Sequence, residues 1–301
     1  MLNKVLIIPA RMNSSRFPGK PLKKINGIPM IGHCYYRSKM SELVDDVYVA
    51  TCDNTIKEYI KSIGGKVIMT SKSHERASDR VSEAMLKIEK LTNKKIDIVI
   101  LYQGDEPMVK PEMIDHAIRP ILKDSSIEVI NLMTKITSNE EFEDPNEVKV
   151  VIDNNYDAIY FSREPIPSSK KYTHQIIKYK QVCIIPFLRD SLIKFNEIPQ
   201  TTLEIIESID MLRLIESGNK VKMVEIEDQV FSVDTEDDLN KVEKLMVDDD
   251  LINFYEDVIK EISTINLKYG IEFTTNLQQF YYDLSANLKI LLYKPNDPLP
   301  S

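Results

Sequence analysis

Three cysteines in 301 residues, Cys34, Cys52 and Cys183, lie far apart and form no CxxC pair, which excludes a disulfide framework and a zinc knuckle. Histidine is as sparse. His33, His74, His116 and His174 make no HExxH or other metal-ligand spacing, and no GxSxG elbow is present from which serine hydrolysis would start. Glycines compose neither the GxxxxGK[ST] phosphate loop nor GxGxxG. No apolar run approaches the roughly 20 residues of a membrane span. The opening Met-Leu-Asn-Lys leads directly into a strand pattern instead of a signal peptide, so a cytoplasmic protein is expected. A net charge of −8 offers no concentrated basic footprint for nucleic acid.

What is present is a globular composition, 43% hydrophobic and 29% charged, long enough for one large α/β domain or a domain with an appendage. Strand-length apolar runs alternate with amphipathic segments. Strands are expected over 4–10, 45–52, 65–70 and 96–105, and helices over 29–41, 54–64, 78–91 and 111–124. Repeated βα units with buried strands predict a largely parallel, doubly wound sheet. From Val129 the rhythm changes: 128–136, 146–155, 157–167 and 178–187 read as strands with polar turns. This block is expected to be antiparallel, extending the sheet or projecting from it as an arm at about 155–190. A helix over 206–218 and a strand over 220–227 follow. The stretch 230–246 reads as a strand, a capped turn and a helix. The main domain is expected at 1–247. An extension at 248–301 opens on Asp248, Asp249 and Asp250, carries helical spacing over 252–270, then an aromatic, apolar stretch and a loose tail.

Residues 5–24, VLIIPARMNSSRFPGKPLKK, carry the most chemistry. An apolar strand runs into a loop holding Arg11, Arg16 and Lys20 among small residues, at the strand edge where α/β sheets bind phosphorylated ligands. The same residues also suit an ordinary charged surface loop. In LYQGDEP, residues 101–107, Gly104 permits close backbone approach, and Asp105 at the end of a buried strand is a candidate Mg²⁺ ligand or a turn cap. Asp234 in FSVDTEDDL ends another expected strand; it is a second carboxylate for the metal or a helix cap, with Asp237 and Asp238 in the first helical turn. In SKSHERASDR, residues 71–80, Arg80 and Ser78 reach a nucleotide base or its phosphates, or Ser78 and Asp79 cap a helix, and His74 reads as a surface or loop-bracing residue.

PARMNSSRFPGKPL, QGDEP, DPNEVKVVIDNN with YFSREPIP, LEIIESIDMLRLIESG and SVDTEDDL occur here in one order. This arrangement closely resembles the 3-deoxy-manno-octulosonate (Kdo) cytidylyltransferase family over about residues 3–246. The resemblance implies a Rossmann-like nucleotidyltransferase fold: a mixed, mostly parallel sheet flanked by helices, with an antiparallel arm and here a helical C-terminal extension. It implies a dimeric enzyme that joins CTP to a sugar acid with Mg²⁺ and releases pyrophosphate, in surface polysaccharide biosynthesis.

Carried onto the matching positions, the catalytic set is Arg11, Lys20, Asp105 and Asp234, with Asp105 and Asp234 as metal ligands. Ala10, Arg11, Arg16, Lys20, Ser78, Arg80, Gln103 and Gly104 fall on the nucleotide, and Arg163, Gln181, Glu204 and Glu207 towards the acceptor. No side-chain base is assigned. Two stretches depart from the family: SHERASDR replaces a DHxSGTDR-like loop, and Gln181, Cys183, Ile185 and Phe187 stand in place of an HxGIYxY-like strand. Because the second change falls on the acceptor side, the expected acceptor is Kdo, a modified Kdo-like acid, another sugar acid, or a polyol phosphate or phosphonate. Alternative readings are use of UTP or another triphosphate, and a nucleotide-binding regulator that has lost catalysis. The extension reads as a packed stabilising helix, or as a segment serving the dimer, the acceptor site or a partner.

Overall fold

The computed structural model describes residues 2–13, 16–171 and 176–269. The aromatic stretch and tail expected after residue 270 lie outside these residues. In chain order the elements are β1 Lys4–Ala10, β2 Lys24–Ile25, β3 Ile28–Pro29, α1 Met30–Lys39, β4 Asp46–Thr51, α2 Asn54–Ser62, β5 Val67–Met69 and α3 Ala77–Thr92. They continue with β6 Ile98–Tyr102, α4 Pro111–Lys123, β7 Ile130–Lys135, α5 Asn139–Glu143, β8 Lys149–Ile152, β9 Ala158–Ser162, β10 Tyr179–Val182 and β11 Ile184–Leu188. The last are α6 Arg189–Glu197, α7 Thr202–Glu207, α8 Met211–Glu216, β12 Lys222–Ile226, α9 Glu236–Leu245 and α10 Leu251–Tyr269.

One sheet runs in the order β11-β6-β1-β4-β5, with only β11 antiparallel to its neighbour. Its strands are buried on both faces: Leu6 and Ile8 of β1 pack on the side of α1 and α4, Val5 and Ile7 on the side of α3. The chain leaves β1 for β4 on one side and enters β6 on the other, so the β1 and β6 carboxyl ends flank the crevice where such sheets bind ligands. The second sheet, β12-β7-β10-β8-β9, is antiparallel except for β12 beside β7. Within the arm expected at about 155–190, β9 and β10 belong to this second sheet while β11 belongs to the first.

Four local expectations change. The strand expected over 178–187 breaks at Cys183: β10 pairs with β7 and β8, and β11 crosses to pair with β6. Pro186 is tolerated because β11 is an edge strand, where a missing N–H costs no ladder bond. The helix expected over 206–218 is two helices separated by Ser208 in the left-handed region (φ 56°). Residues 230–233 are not a strand; a single bond, Val233 N–H to the Asp105 carbonyl (2.9 Å), ties them to the loop after β6. Helix α6, which buries Leu192 and Phe195 one turn apart, went unrecognised inside a stretch read as strands and turns.

Helix α10 packs against α1 and α2 as part of the core, burying Tyr255, Val258 and Ile262. The Tyr255 ring stacks on Tyr36. Its hydroxyl lies 2.7 Å from His33 Nδ1 and 3.3 Å from Arg37 Nε. Arg37 also pairs with Asp249 from the acidic run. His33 Nε2 lies 2.9 Å from the Ile25 carbonyl, which only accepts, so Nε2 carries the proton and Nδ1 accepts from Tyr255.

Burial holds His33 down at about 4, opposed first by the Ile25 backbone bond, reinforced by the neighbouring Arg37 charge and opposed more weakly by Asp249. Below an unfolded value of 6.5 the unfolded chain takes up a proton that folded His33 refuses. Stability contributed at neutral pH is therefore lost as pH falls from 6.5 towards 4, by roughly 3 kcal/mol. Urea midpoints measured across that window should decline more steeply in the wild type than in His33→Gln.

Candidate functional site

The loop leaving β1 is folded back on itself by the Gly19 N–H bond to the Met12 carbonyl (3.0 Å), with Gly19 at φ 75°. That return carries Lys20 into the crevice opposite the β6 loop. Lys20 Nζ donates to Asp105 Oδ2 (2.8 Å) and Asp234 Oδ1 (3.1 Å). Burial works to lower the ammonium's pKa, but attraction first by Asp105 and then by Asp234, with both hydrogen bonds, outweighs it and leaves it raised. Asp234 arrives on the irregular segment anchored by Val233, and also accepts from Arg16 (3.0 Å). Arg16 bonds Asn146 as well. Gly104 suits this close packing, because a Cβ there would lie 2.8 Å from Ile31 Cδ1 and 3.1 Å from Ile8 Cγ2 and would force those side chains to shift.

Two adjoining cavities meet at this cluster. A basic cavity of about 270 Å³ is lined by Ala10, Arg11, Arg16, Lys20, Arg76, Arg80, Gln103, Gly104, Asp105 and Asp234, among others. A second cavity of about 150 Å³ shares Arg16, Ala77, Gln103, Asp105 and Asp234 with the first and adds Asn146, Arg163, Gln181, Cys183 and Ser208–Met211. Five cationic side chains around one cavity of an acidic protein make a local attractor for anions. Oxygens of two carboxylates converge on one cation position within 3.1 Å.

Most residues singled out in the sequence line these walls, and three do not. Ser78 is buried in the first turn of α3, where its hydroxyl donates to Asp210 Oδ2 (2.8 Å). Glu204 is fully buried in a two-point pair with Arg213 (2.7 and 2.6 Å), because the short α7 turns that face into the core. Glu207 spends its carboxylate on β9, accepting from Ser162 Oγ (2.8 Å), Tyr160 Oη (3.2 Å) and the Arg163 N–H (2.9 Å). The structure thus replaces the acceptor contacts expected of Glu204 and Glu207 with bracing roles. Glu204→Gln should destabilise the fold by about 3–5 kcal/mol, since Arg213 would be left buried and uncompensated. CTP affinity should stay within about twofold of wild type; thermal unfolding and CTP titration read the two effects.

Arg80 lines the basic cavity, but its guanidinium braces the loop after β5 through Thr70 Oγ1 (2.5 Å) and the Ser71 and His74 carbonyls (3.2 and 3.4 Å). His74 braces the same loop against Glu83 (2.5 Å) and also faces the cavity. Arg163 is fixed by the Glu207 and Pro145 carbonyls (both 2.8 Å), and Gln181 donates to Asn131 Oδ1 (2.5 Å). Asn146, Arg76 and Glu106 carry no expectation from sequence. Asn146 sits inside the quoted DPNEVK stretch, which is the one signal that pointed there. Glu106 lines the second cavity and accepts the Cys183 N–H at the strand break (2.9 Å); burial pushes its carboxyl up to about 8.

Sequence and structure comparisons give this geometry its context. The profile of the family described as Cytidylyltransferase matches residues 5–228. The 3-deoxy-manno-octulosonate cytidylyltransferase of Geobacter metallireducens is 41% identical over 217 residues, 69% of this chain and 83% of that protein. The 8-amino-3,8-dideoxy-manno-octulosonate cytidylyltransferase of Shewanella woodyi is 39% identical over 213 residues, 70% of this chain and 85% of its own. A solved CMP:2-keto-3-deoxy-manno-octonic acid synthetase, complexed with CTP, superposes with a TM-score of 0.74 at 38% identity, covering 81% of this chain and 98% of that one. With a profile match spanning the β1 loop and the β6 loop, and relatives aligned over most of their length, the chain belongs to the cytidylyltransferase family.

Proposed function

We propose that this protein transfers CMP from CTP to 3-deoxy-manno-octulosonate or a close sugar-acid analogue, releasing pyrophosphate, in the cytoplasm and as a homodimer. The observation that carries the reading is the junction of the two cavities at Lys20, Asp105 and Asp234. A triphosphate in the basic cavity would meet Arg11, Arg16 and Lys20, and an acceptor in the second cavity would face the α-phosphorus across the shared wall. The acceptor hydroxyl oxygen forms a bond to that phosphorus as the bond to the pyrophosphate oxygen breaks, the electron pair leaving on pyrophosphate and the hydroxyl proton passing to solvent. Little covalent chemistry is left to the protein, so alignment and charge neutralisation supply the rate.

The residues present fit Mg²⁺. Asp105 and Asp234 already hold one cation, the Lys20 ammonium, between them, and two carboxylates plus phosphate oxygens and water suit this metal. Among the described residues no group of three or more His, Cys, Asp or Glu is arranged to hold a metal alone, which favours an ion brought in with the triphosphate. When bound, the metal would neutralise charge on the phosphates. Lys20 is placed to move from the carboxylates to a phosphate oxygen.

Gln181, Cys183 and Ile185, three of the four residues that depart from the family's HxGIYxY-like strand, lie on the second cavity's wall, while Phe187 is buried in the core. This favours screening acceptors beside Kdo. Exposed Ile159, Ile205 and Ile206 offer apolar surface for a second copy. No helix among the described residues is long and apolar enough to cross a membrane. The test is incubation with CTP, Mg²⁺ and, separately, Kdo, its 8-amino analogue, polyol phosphates and phosphonates, with CMP conjugates identified by mass. Pyrophosphate release requiring CTP, sugar acid and metal together is expected. CTP binding with no conjugate from any acceptor would instead support the regulator reading.

A further inference from the structure

Arg76 has no part in the chemistry outlined above, yet it spans the two cavities. It is the residue before α3 and lines the basic cavity. Its Nη1 donates to Ser208 Oγ (2.9 Å), and its Nε lies 3.7 Å from both Glu204 Oε1 and Asp210 Oδ1. Ser208 is the left-handed residue that parts α7 from α8, and Ser208–Met211 form a wall of the second cavity. Two carboxylates stand there, Glu204 fully buried and Asp210 half-buried. Arg213 compensates Glu204, whereas Asp210 has Ser78 and Arg76, with burial raising its pKa. A turn in a costly backbone conformation persists only when its surroundings fix it; Arg163 holds the Glu207 carbonyl, and the Arg76 guanidinium adds a contact from the loop bordering the basic cavity.

We infer that Arg76 is a positioning residue for the acceptor: it ties the loop bordering the basic cavity to the Ser208–Met211 wall, so acceptor seating depends on a side chain that belongs to the nucleotide side. The inference rests on the acceptor assignment of the second cavity, and its test has one arm independent of that assignment. Arg76→Ala should raise the KM for Kdo about tenfold, the loss of one charged hydrogen bond, and the KM for CTP by a clearly smaller factor, since four other cations line the basic cavity. Ser208→Ala should give a smaller rise of the same kind. In the double variant the two effects should not add, because both remove one contact. Arg76→Lys keeps the charge opposite Asp210 but not the planar fork and should recover part of the loss.

Amide hydrogen exchange supplies the independent arm. Arg76→Ala should speed exchange at 207–211 and leave the β1 strand unchanged. Parallel rises in both KM values, additivity in the double variant, or unchanged exchange at 207–211 would each overturn the inference. Absence of CMP transfer in the wild type would count against the proposed function, and the exchange result would still decide the role of Arg76. Should Arg76→Ala fail to fold, Ser208→Ala and Arg76→Lys carry the same comparisons.

Discussion

Asp105→Asn should lower CMP transfer by about a thousandfold while the protein remains folded. Metal-centred stabilisation of phosphoryl-transfer charge is worth several kcal/mol, and about 4 kcal/mol corresponds to that factor. The substitution keeps the side chain's shape, and Asp105 is partly solvated (22% exposed), so the folding cost is at most about 1 kcal/mol. Lys20 keeps its second partner, Asp234. The decisive measurement is pyrophosphate release under saturating CTP and Mg²⁺, alongside a thermal melt. A folded Asp105→Asn protein with near wild-type turnover would remove the metal role proposed for this residue, because among the described residues no other carboxylate converges with Asp234 on Lys20.

Tyr255→Ala should cost about 3–5 kcal/mol, the range for removing a large buried aromatic side chain. Tyr255 is fully buried, stacks on Tyr36 and donates to His33, and its loss would also leave Arg37 with fewer partners. Tyr255→Phe, which retains the ring, should cost about 1–3 kcal/mol, since His33 Nδ1 would be buried without a donor. Urea unfolding of the full chain separates the two. A loss under about 1 kcal/mol for Tyr255→Ala would mean that α10 does not fold with the domain. The expected large loss supports a stabilising extension. None of the described α10 residues lines either cavity, so kcat/KM at low temperature should change far less than stability.

How much of this was readable in advance depends on the range of the interaction. Val5 to Ala10, Ile98 to Tyr102 and the amphipathic pattern of α2 announce themselves through local periodicity, and the βα alternation then determines a parallel sheet. Arg11, Lys20, Gly104 and Asp105 were readable because a strand terminus with cations, a small residue or a carboxylate marks a ligand edge. Ser208 and Cys183 were not, because nothing local demands a break at either position. The break at Ser208 is held by partners more than forty residues away, Arg163 and Ser162 on Glu207 and Arg76 on Ser208 itself. That at Cys183 follows from two sheets competing for one run of apolar residues.

The amino-acid sequence by itself determined the α/β class, the cationic loop after β1 and the family pattern, all of which reside in short-range periodicity and in motifs. The tertiary structure alone decided which carboxylates line the cavities and which are consumed by the fold. Asp105, Asp234, Glu204 and Glu207 bear the same charged group, yet the first two meet at a solvated junction, while Glu204 pairs in the core and Glu207 braces β9. An acid becomes available for chemistry only when its neighbours leave it so, and those neighbours are brought to it by the packing of distant segments.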